Sequence, residues 1–367
     1  MKRFGTISYN IYCNFTNYGS ALQTWALHQA VKKLGYGPVL VDYCPDVLMD
    51  KDPLNPYKNM WDQDAESRRM CELTMPAIRE NYVKLDRFYR DCFERTSRKY
   101  TSNNFDKIVD EKLDGFVCGS DTIFCIDEFK GFDDGYYANY PQMRNRSVSY
   151  AASFGDPHFD EKSYKTLNNR LGNFRALGIR ENLMLPYVKE HVNVPVARTI
   201  DPTLLLTTED YDKIVEKRQY EEPYILLYAR RYDKEMEAYA EELAQKRKCK
   251  VVEVSLRATN AEKGHIMRYD AGVEEFLSLV KYSDCVVTNS FHGLIFAVHN
   301  KKPVRVFTRE QANSKIDELL KLMNMEQVAC KMDWDNLREI DYDDVFARLS
   351  KERMNSFDFL KSSLELL

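Results

Sequence analysis

Alternating apolar and polar segments at the start of the chain predict a β-α-β unit. Residues 4–9 form an apolar run, and a polar loop containing Asn17 and Gly19 follows. Apolar residues then recur at helical spacing, at Leu22, Trp25, Ala26, Ala30 and Leu34. Ser20 is the expected N-cap of this helix, and residues 38–43 form the next strand. A continuous apolar strand after a helix is typical of a parallel sheet covered on both faces.

The same alternation resumes after a charge-rich stretch. Apolar runs predict strands at 115–118, 147–151, 175–179, 196–199, 224–228, 250–254, 284–288 and 303–307. Asp201-Pro202 interrupts the pattern, and the polar segment up to Glu222 is the expected interdomain connection. The pattern therefore predicts an α/β protein with two Rossmann-like domains, whose mostly parallel sheets face a central cleft.

The predicted first domain spans residues 1–205 and carries a helical insertion at 46–113. The second spans residues 222–340, and we expect a helix at 341–367 to pack back on the first domain. Ligands of such folds bind outside the carboxyl ends of the strands, so the loops that follow strands are where a site is expected.

Composition and charge exclude several classes of protein. The formal net charge of −4 supplies no basic excess for nucleic acid. Nine irregularly spaced cysteines do not indicate a disulfide framework or a zinc finger. The first residues lack the apolar run of a signal peptide, and no stretch is long and apolar enough to span a bilayer. We therefore expect a soluble cytoplasmic protein.

The clearest candidate for chemistry lies between a predicted strand and a predicted helix. The segment Thr288-Asn289-Ser290-Phe291-His292-Gly293 places polar groups at a helix N-terminus, where N–H groups favour an anion. Gly293 permits close backbone approach. His292 can hold a phosphate or deliver a proton. The alternative is a capped helix whose histidine only seals the cleft.

The segment 288–304 resembles the Ser-Phe-His-Gly signature of the polysaccharide pyruvyl transferases. Further segments similar to that family follow the same order, at 17–27, 118–124, 149–155, 178–181, 201–205 and 313–325. The resemblance covers most of the chain from residue 17 to about 325 and implies a GT-B-like fold. One departure is Thr122-Ile123-Phe124, where the family usually has Gln-Val-Trp, which leaves any contact made by that Gln or Trp open.

The family resemblance also implies a reaction. Phosphoenolpyruvate would donate its pyruvyl group to two hydroxyls of one hexose, forming a ketal and releasing phosphate, with no cofactor besides this co-substrate. The second domain would hold the donor and the first domain the acceptor. Such chemistry needs cations for the donor's carboxylate and phosphate, an acid for C3 and a base for the hydroxyl. We expect a cleft floor that is electropositive.

The donor-binding candidates are Arg180, Arg230, Asn289, Ser290 and Gly293. Arg180 matches the family's Arg-Glu segment, although it could instead form a local salt bridge with Glu181. Arg230 ends the first strand of the second domain, at the cleft. No metal site is expected, because the seven-residue separation of His292 and His299 does not suit joint ligation.

The catalytic candidates are His292 and Asp121, and the acceptor-binding candidates are Asn17, Gly19 and Ser20. Asp121 directly follows a strand and could act as the base or could cap the next helix. Asn17, Gly19 and Ser20 could line a ledge of N–H groups, or could be ordinary loop and cap residues.

Two other functions remain open at this stage. The same fold supports a glycosyltransferase that uses a nucleotide sugar, and a sugar-binding protein without catalysis is the third possibility. The expected acceptor is a galactose or mannosamine derivative in a capsule or other surface polysaccharide precursor, carried on polyprenyl diphosphate. Residues 87–99 form a basic stretch that could contact the inner face of the membrane.

Overall fold

The computed structural model describes residues 1–12, 17–52, 54, 64–156, 158–307, 313–329 and 340–367. Within them the chain forms two α/β lobes, each built on a parallel sheet. The nine cysteines include Cys13 and Cys330, which lie outside the described residues, and the other seven are free thiols. None of the described helices combines the length and the apolar character needed to cross a bilayer.

The first lobe contains six strands in the order β2-β1-β3-β4-β5-β6, all paired in parallel. The strands are β1 (Arg3–Ile7), β2 (Gly37–Leu40), β3 (Gly115–Cys118), β4 (Ser147–Ala152), β5 (Phe174–Ile179) and β6 (Val196–Arg198). The helices are α1 (Tyr18–Lys33), α2 (Ala65–Asp91), α3 (Glu161–Leu171), α4 (Leu185–His191) and the short α5 (Thr208–Tyr211). The four inner strands are buried along almost their whole length because helices cover both faces, which accounts for their continuous apolar runs.

The second lobe contains five parallel strands in the order β11-β10-β7-β8-β9. The strands are β7 (Tyr224–Tyr228), β8 (Lys250–Val254), β9 (Ile266–Met267), β10 (Cys285–Thr288) and β11 (Val304–Val306). The helices are α6 (Lys234–Arg247), α7 (Val273–Lys281), α8 (Phe291–His299) and α9 (Asn313–Met323). The two-sheet α/β prediction is confirmed. Sequence patterning missed the short strand β9.

The two lobes meet where α1 begins. The Tyr18 ring stacks on Phe276 of α7 with 4.4 Å between the ring centroids. Its hydroxyl donates a hydrogen bond of 2.7 Å to the carbonyl of Ala271, also in the second lobe. One apolar core includes residues of both lobes around this contact. The start of α1 is therefore fixed against the second lobe.

Two further elements shape the first lobe. The long helix α2 lies within the predicted insertion and contacts α7 of the second lobe. The last helix, α10 (Tyr342–Glu365), packs on β4 and β5. Ser356 accepts a hydrogen bond of 3.1 Å from the backbone N–H of Ile200, and Arg353 donates one of 2.8 Å to the carbonyl of Leu204.

Candidate functional site

The loop between β10 and α8 is held by its own side chains. Ser290 is the N-cap of α8, and its hydroxyl accepts a hydrogen bond of 3.2 Å from the N–H of Gly293. The Asn289 side chain accepts from the N–H of Arg230 at 2.9 Å and donates to the carbonyl of Arg231 at 2.9 Å. Asn289 and Ser290 therefore fix the loop backbone, and their predicted contact with a donor stays a prediction.

Gly293 is required by packing inside the lobe. A β-carbon there would lie 2.5 Å from the hydroxyl oxygen of Thr288 and 2.9 Å from the ring of Tyr228. The close approach expected at this glycine is therefore to neighbouring side chains. Because α8 starts at Phe291, His292 belongs to its first turn.

His292 faces the other lobe. A β-carbon added to Gly19 of α1 would overlap Nδ1 of the His292 ring, so the glycine backbone lies directly against the imidazole. On the other side of the ring, Nε2 lies 3.6 Å from a carboxylate oxygen of Asp201. The His292 side chain keeps only 12% of its surface exposed. The cleft thus holds the ring between Gly19 and Asp201, both of the first lobe.

Arg180 directly follows β5 and forms two buried ion pairs. Its Nε donates to Glu181 at 3.0 Å, and one terminal nitrogen donates to Asp201 at 3.0 Å. Burial opposes the charge on Asp201, but the charges of His292 and Arg180 and the hydroxyl of Thr203 outweigh it and hold its pKa well below the ordinary value. Asp201 is therefore a carboxylate at neutral pH. The salt bridge with Glu181 that the sequence left open is present.

Asp121 follows β3 and meets the start of α1. Its carboxylate accepts a hydrogen bond of 2.8 Å from the Ser20 hydroxyl and one of 2.9 Å from the N–H of Thr122. Asn17 is the N-cap of α1, since its side chain accepts the N–H of Ser20 at 3.2 Å. The prediction that Ser20 caps the helix is wrong because the helix begins at Tyr18, which leaves the Ser20 hydroxyl free to bind Asp121.

The departure from the family pattern after Asp121 falls mainly in the core. Ile123 and Phe124 are fully buried, and the Phe124 ring stacks on Tyr137 with 4.6 Å between centroids. Only Thr122 presents a polar group, which donates a hydrogen bond of 2.6 Å to Glu128. The substituted residues therefore serve packing and one local hydrogen bond.

Lys315 is a site residue that sequence reasoning missed. It lies on α9, and its ammonium is 3.9 Å from Glu181, with 13% of the side chain exposed. Burial and the nearby charge of Arg180 lower its pKa. The only signal in the sequence was that the segment 313–325 resembles the family, and nothing there singles out this lysine.

A small cavity of about 30 Å³ is lined by Arg180 and Asp201 of the first lobe, by Phe291 of α8 and by Lys315 of α9. Among the described residues, Oε2 of Glu181 and Nε2 of His292 are buried polar atoms without a hydrogen-bond partner. Buried polar atoms are normally paired, so these two mark a place where water or a ligand is expected.

The charges here differ from the expected electropositive floor. Arg180 and Lys315 face three carboxylates, those of Asp121, Glu181 and Asp201, so these two cations produce no local positive excess. Arg230 lies two residues after β7, and its backbone N–H donates a hydrogen bond to the Asn289 side chain. Over the residues that the structure describes, no three His, Cys, Asp or Glu side chains converge as metal ligands would.

Comparison with solved structures supports the fold. A putative UDP-N-acetylglucosamine 2-epimerase from Listeria monocytogenes is similar at a TM-score of 0.50 and 11% identity, over 99% of this chain and 91% of that one. An S. aureus MnaA–UDP co-structure has a TM-score of 0.48 and 15% sequence identity, over 99% of this chain and 91% of that one. Acinetobacter baumannii MurG has a TM-score of 0.45 and 9% sequence identity, over the full length of both chains. The first of these similarities supports the GT-B-like fold and nothing further.

Comparison at the level of sequence identifies the family. No curated protein sequence matches the chain. The family model described as polysaccharide pyruvyl transferase matches residues 17–311, a range that runs through both lobes and contains Gly19, Asp121, Arg180, Asp201 and His292. The chain belongs to the polysaccharide pyruvyl transferase family.

Proposed function

We propose that this protein transfers the pyruvyl group of phosphoenolpyruvate to two hydroxyls of a hexose, in the synthesis of a surface polysaccharide such as a capsule. The observation that carries the proposal is the convergence of Asp121, Arg180, Asp201, His292 and Lys315 from separate segments at one cleft. All but Lys315 lie in the part of the chain that the family model matches.

The bond changes define what the cleft must supply. C3 of the enol gains a proton, and C2 forms two bonds to sugar oxygens as its bond to the phosphate oxygen breaks. The two sugar hydroxyls lose two protons in total. One balances the proton that C3 gains, and the other leaves bound to the phosphate. One acid, one base and cationic contacts for the donor are therefore needed.

His292 is the proposed acid. Its ring lies between Gly19 and Asp201, with Nδ1 toward Gly19, and the ionised carboxylate 3.6 Å from Nε2 can hold the ring in this orientation in the cleft. Asp121 is the proposed base, since its carboxylate already accepts a hydroxyl hydrogen bond from Ser20. A sugar hydroxyl could take the place of that serine hydroxyl.

Arg180 and Lys315 are the proposed contacts for the donor anion. Arg180 uses two of its five N–H groups for Glu181 and Asp201, which leaves three for a carboxylate or phosphate. Glu181 lies near both cations and would compete with the donor. Arg230 is a further candidate from the second lobe.

Phosphate release tests this function directly. The purified protein is incubated with phosphoenolpyruvate and a panel of free and polyprenyl-diphosphate-linked hexosides, with UDP-sugars replacing phosphoenolpyruvate in a parallel series. We expect phosphate only when donor and acceptor are both present, and a product heavier by one pyruvyl ketal. Transfer from a UDP-sugar alone would support the nucleotide-sugar function instead.

A pair of histidine variants locates the acid. His292→Gln is expected to lose phosphate release by about 10² to 10⁴-fold. His158→Gln is the matched control, because the His158 side chain is 83% exposed and its ring pairs with Asp127. Full turnover by the His292→Gln protein would exclude His292 as the acid.

A further inference from the structure

A second and larger cavity lies beside the start of α1. Its volume is about 210 Å³, and it is lined from the loop after β1, from α2 and by Tyr269 of the second lobe. We name it the tyrosine cavity, after its lining side chains Tyr12, Tyr82, Tyr89 and Tyr269. We propose that it binds the pyranose ring of the acceptor sugar. The identification of the ligand as an acceptor rests on the function proposed above.

The tyrosine cavity is next to the catalytic cleft. Asn17 lines the cavity and is also the N-cap of α1. Gly19 follows two residues later and lies against the His292 ring, while Ser20 binds Asp121. A sugar in the cavity would therefore have its hydroxyls directed past Asn17 toward the proposed acid and base.

The lining suits a carbohydrate. Tyrosine offers an apolar ring face together with a polar tip, and a pyranose presents C–H faces together with a hydroxyl edge. The wall is mainly apolar, with Ile78 and Leu85 of α2 beside the tyrosines. Binding sites of small molecules combine such a wall with a few polar groups that set the orientation.

Asn10 provides a buried polar group for which the described residues supply no hydrogen-bond acceptor. It lines the cavity, is 5% exposed, and its side-chain Nδ2 has no hydrogen-bond partner among the described residues. Its Oδ1 already accepts a hydrogen bond from the N–H of Ile11 at 2.5 Å. A buried amide N–H without an acceptor is unfavourable, and a sugar hydroxyl or ring oxygen would satisfy it.

The cavity also gives a function to helix α2. From the sequence, residues 46–113 were a helical insertion of the first domain, and a membrane contact by the basic stretch at 87–99 was the one role considered for it. In the structure α2 forms one wall of the tyrosine cavity and packs against the second lobe. The insertion would then determine which sugar the protein accepts.

Binding of simple glycosides tests the tyrosine cavity without any turnover. Saturation-transfer NMR is recorded on the full chain with the methyl glycosides of galactose, glucose and N-acetylmannosamine, in the absence of phosphoenolpyruvate. We expect at least one glycoside to bind, and Tyr82→Ala and Asn10→Ala each to weaken its binding by about five- to ten-fold. Tyr82 is 40% exposed, so its removal leaves the core intact.

Val83→Ala is the matched control, because Val83 neighbours Tyr82 on α2, is 66% exposed and does not line the cavity. Wild-type glycoside affinity in both Tyr82→Ala and Asn10→Ala would overturn the proposal. The absence of any glycoside signal at about 20 mM would do so as well.

The two proposals fail separately. If the variants bind the glycoside more weakly than wild type, but the wild-type protein releases no phosphate with donor and acceptor, the sugar site is supported and the pyruvyl transfer is rejected. Phosphate release with an unchanged KM for the acceptor in the variants would reject the tyrosine cavity and leave the transfer standing.

Discussion

Gly19 and His292, from opposite lobes, are in direct contact across the cleft, with no room for a β-carbon between the glycine backbone and the imidazole. The contact joins the first turn of α1 to the first turn of α8. The position of the proposed acid therefore depends on a residue of the other lobe that has no side chain.

Gly19→Ala tests this contact. The added methyl group must displace the His292 ring, so we expect turnover to fall by about 10- to 100-fold. Folding should be retained, since alanine favours a helix more than glycine does. Phosphate release and thermal unfolding measure the two effects.

Gly172→Ala is the control for that substitution, because its φ is −64° and a β-carbon there meets nothing closer than 3.4 Å. If Gly19→Ala matches Gly172→Ala in turnover, the contact does not position the histidine.

Asp201→Asn is expected to destabilise the protein in a pH-dependent way. Removing the buried carboxylate from Arg180 should lower the free energy of unfolding by about 3 kcal/mol at pH 7. The folded-state pKa of Asp201 lies well below its ordinary value, so its stabilising effect is complete at neutral pH and is lost as the pH falls through the folded-state pKa. The difference in the free energy of unfolding between Asp201→Asn and wild type should therefore be smaller by about 1 kcal/mol at pH 3 than at pH 7.

Urea denaturation at a series of pH values measures the effect of Asp201→Asn. Asp358→Asn serves as the control, since Asp358 is exposed on α10. If the difference in unfolding free energy between Asp201→Asn and wild type stays constant down to pH 3, the charge of Asp201 is not what stabilises the fold.

Asp121→Asn is expected to reduce kcat by about 10²-fold or more while the KM for phosphoenolpyruvate changes little. Ser20→Ala should have a smaller effect, because it removes one hydrogen bond to the carboxylate and leaves the proposed base in place. Asp127→Asn, six residues along and 53% exposed, should behave as wild type. Steady-state kinetics at varied phosphoenolpyruvate concentration separate kcat from KM. An unchanged kcat in Asp121→Asn would rule out Asp121 as the base.

Lys315→Met is expected to raise the KM for phosphoenolpyruvate by about 10-fold. Because the pKa of Lys315 is lowered in the folded protein, its charged form opposes folding, and the variant should be more stable than wild type at neutral pH. That gain should vanish as the pH rises past the ordinary lysine value of 10.5. Lys321→Met, exposed on the same helix, is the control. A wild-type KM in Lys315→Met would place this lysine outside the donor site.

Local patterns in the sequence were enough to predict the architecture. The strands at 224–228 and 250–254 have the bounds that the apolar runs indicated. Strand β9 was missed, since two residues carry no periodic pattern. Asn17 and Ser20 both have side chains that cap helices, and only the structure decides between them.

The predicted site was harder to derive because its contacts are between distant segments. His292 and Arg180 could be selected from their places after strands. The carboxylate that joins them, Asp201, was seen as a chain break before a proline and as part of a family-like segment, and neither feature predicted its contacts. Lys315 occupies a helix whose charged pattern is that of any surface helix. No local signal shows which lysine of such a helix turns inward.

Helix α10 makes the first lobe discontinuous in sequence. The Tyr342 hydroxyl of α10 donates to the carbonyl of Lys302 in the second lobe at 2.5 Å, while Leu360 and Leu364 are buried in the shared core. A fragment ending near residue 205 would expose the apolar surface that this helix covers and would be prone to aggregation. Expression of the first lobe alone therefore requires residues 342–365 to be joined back to it by a linker.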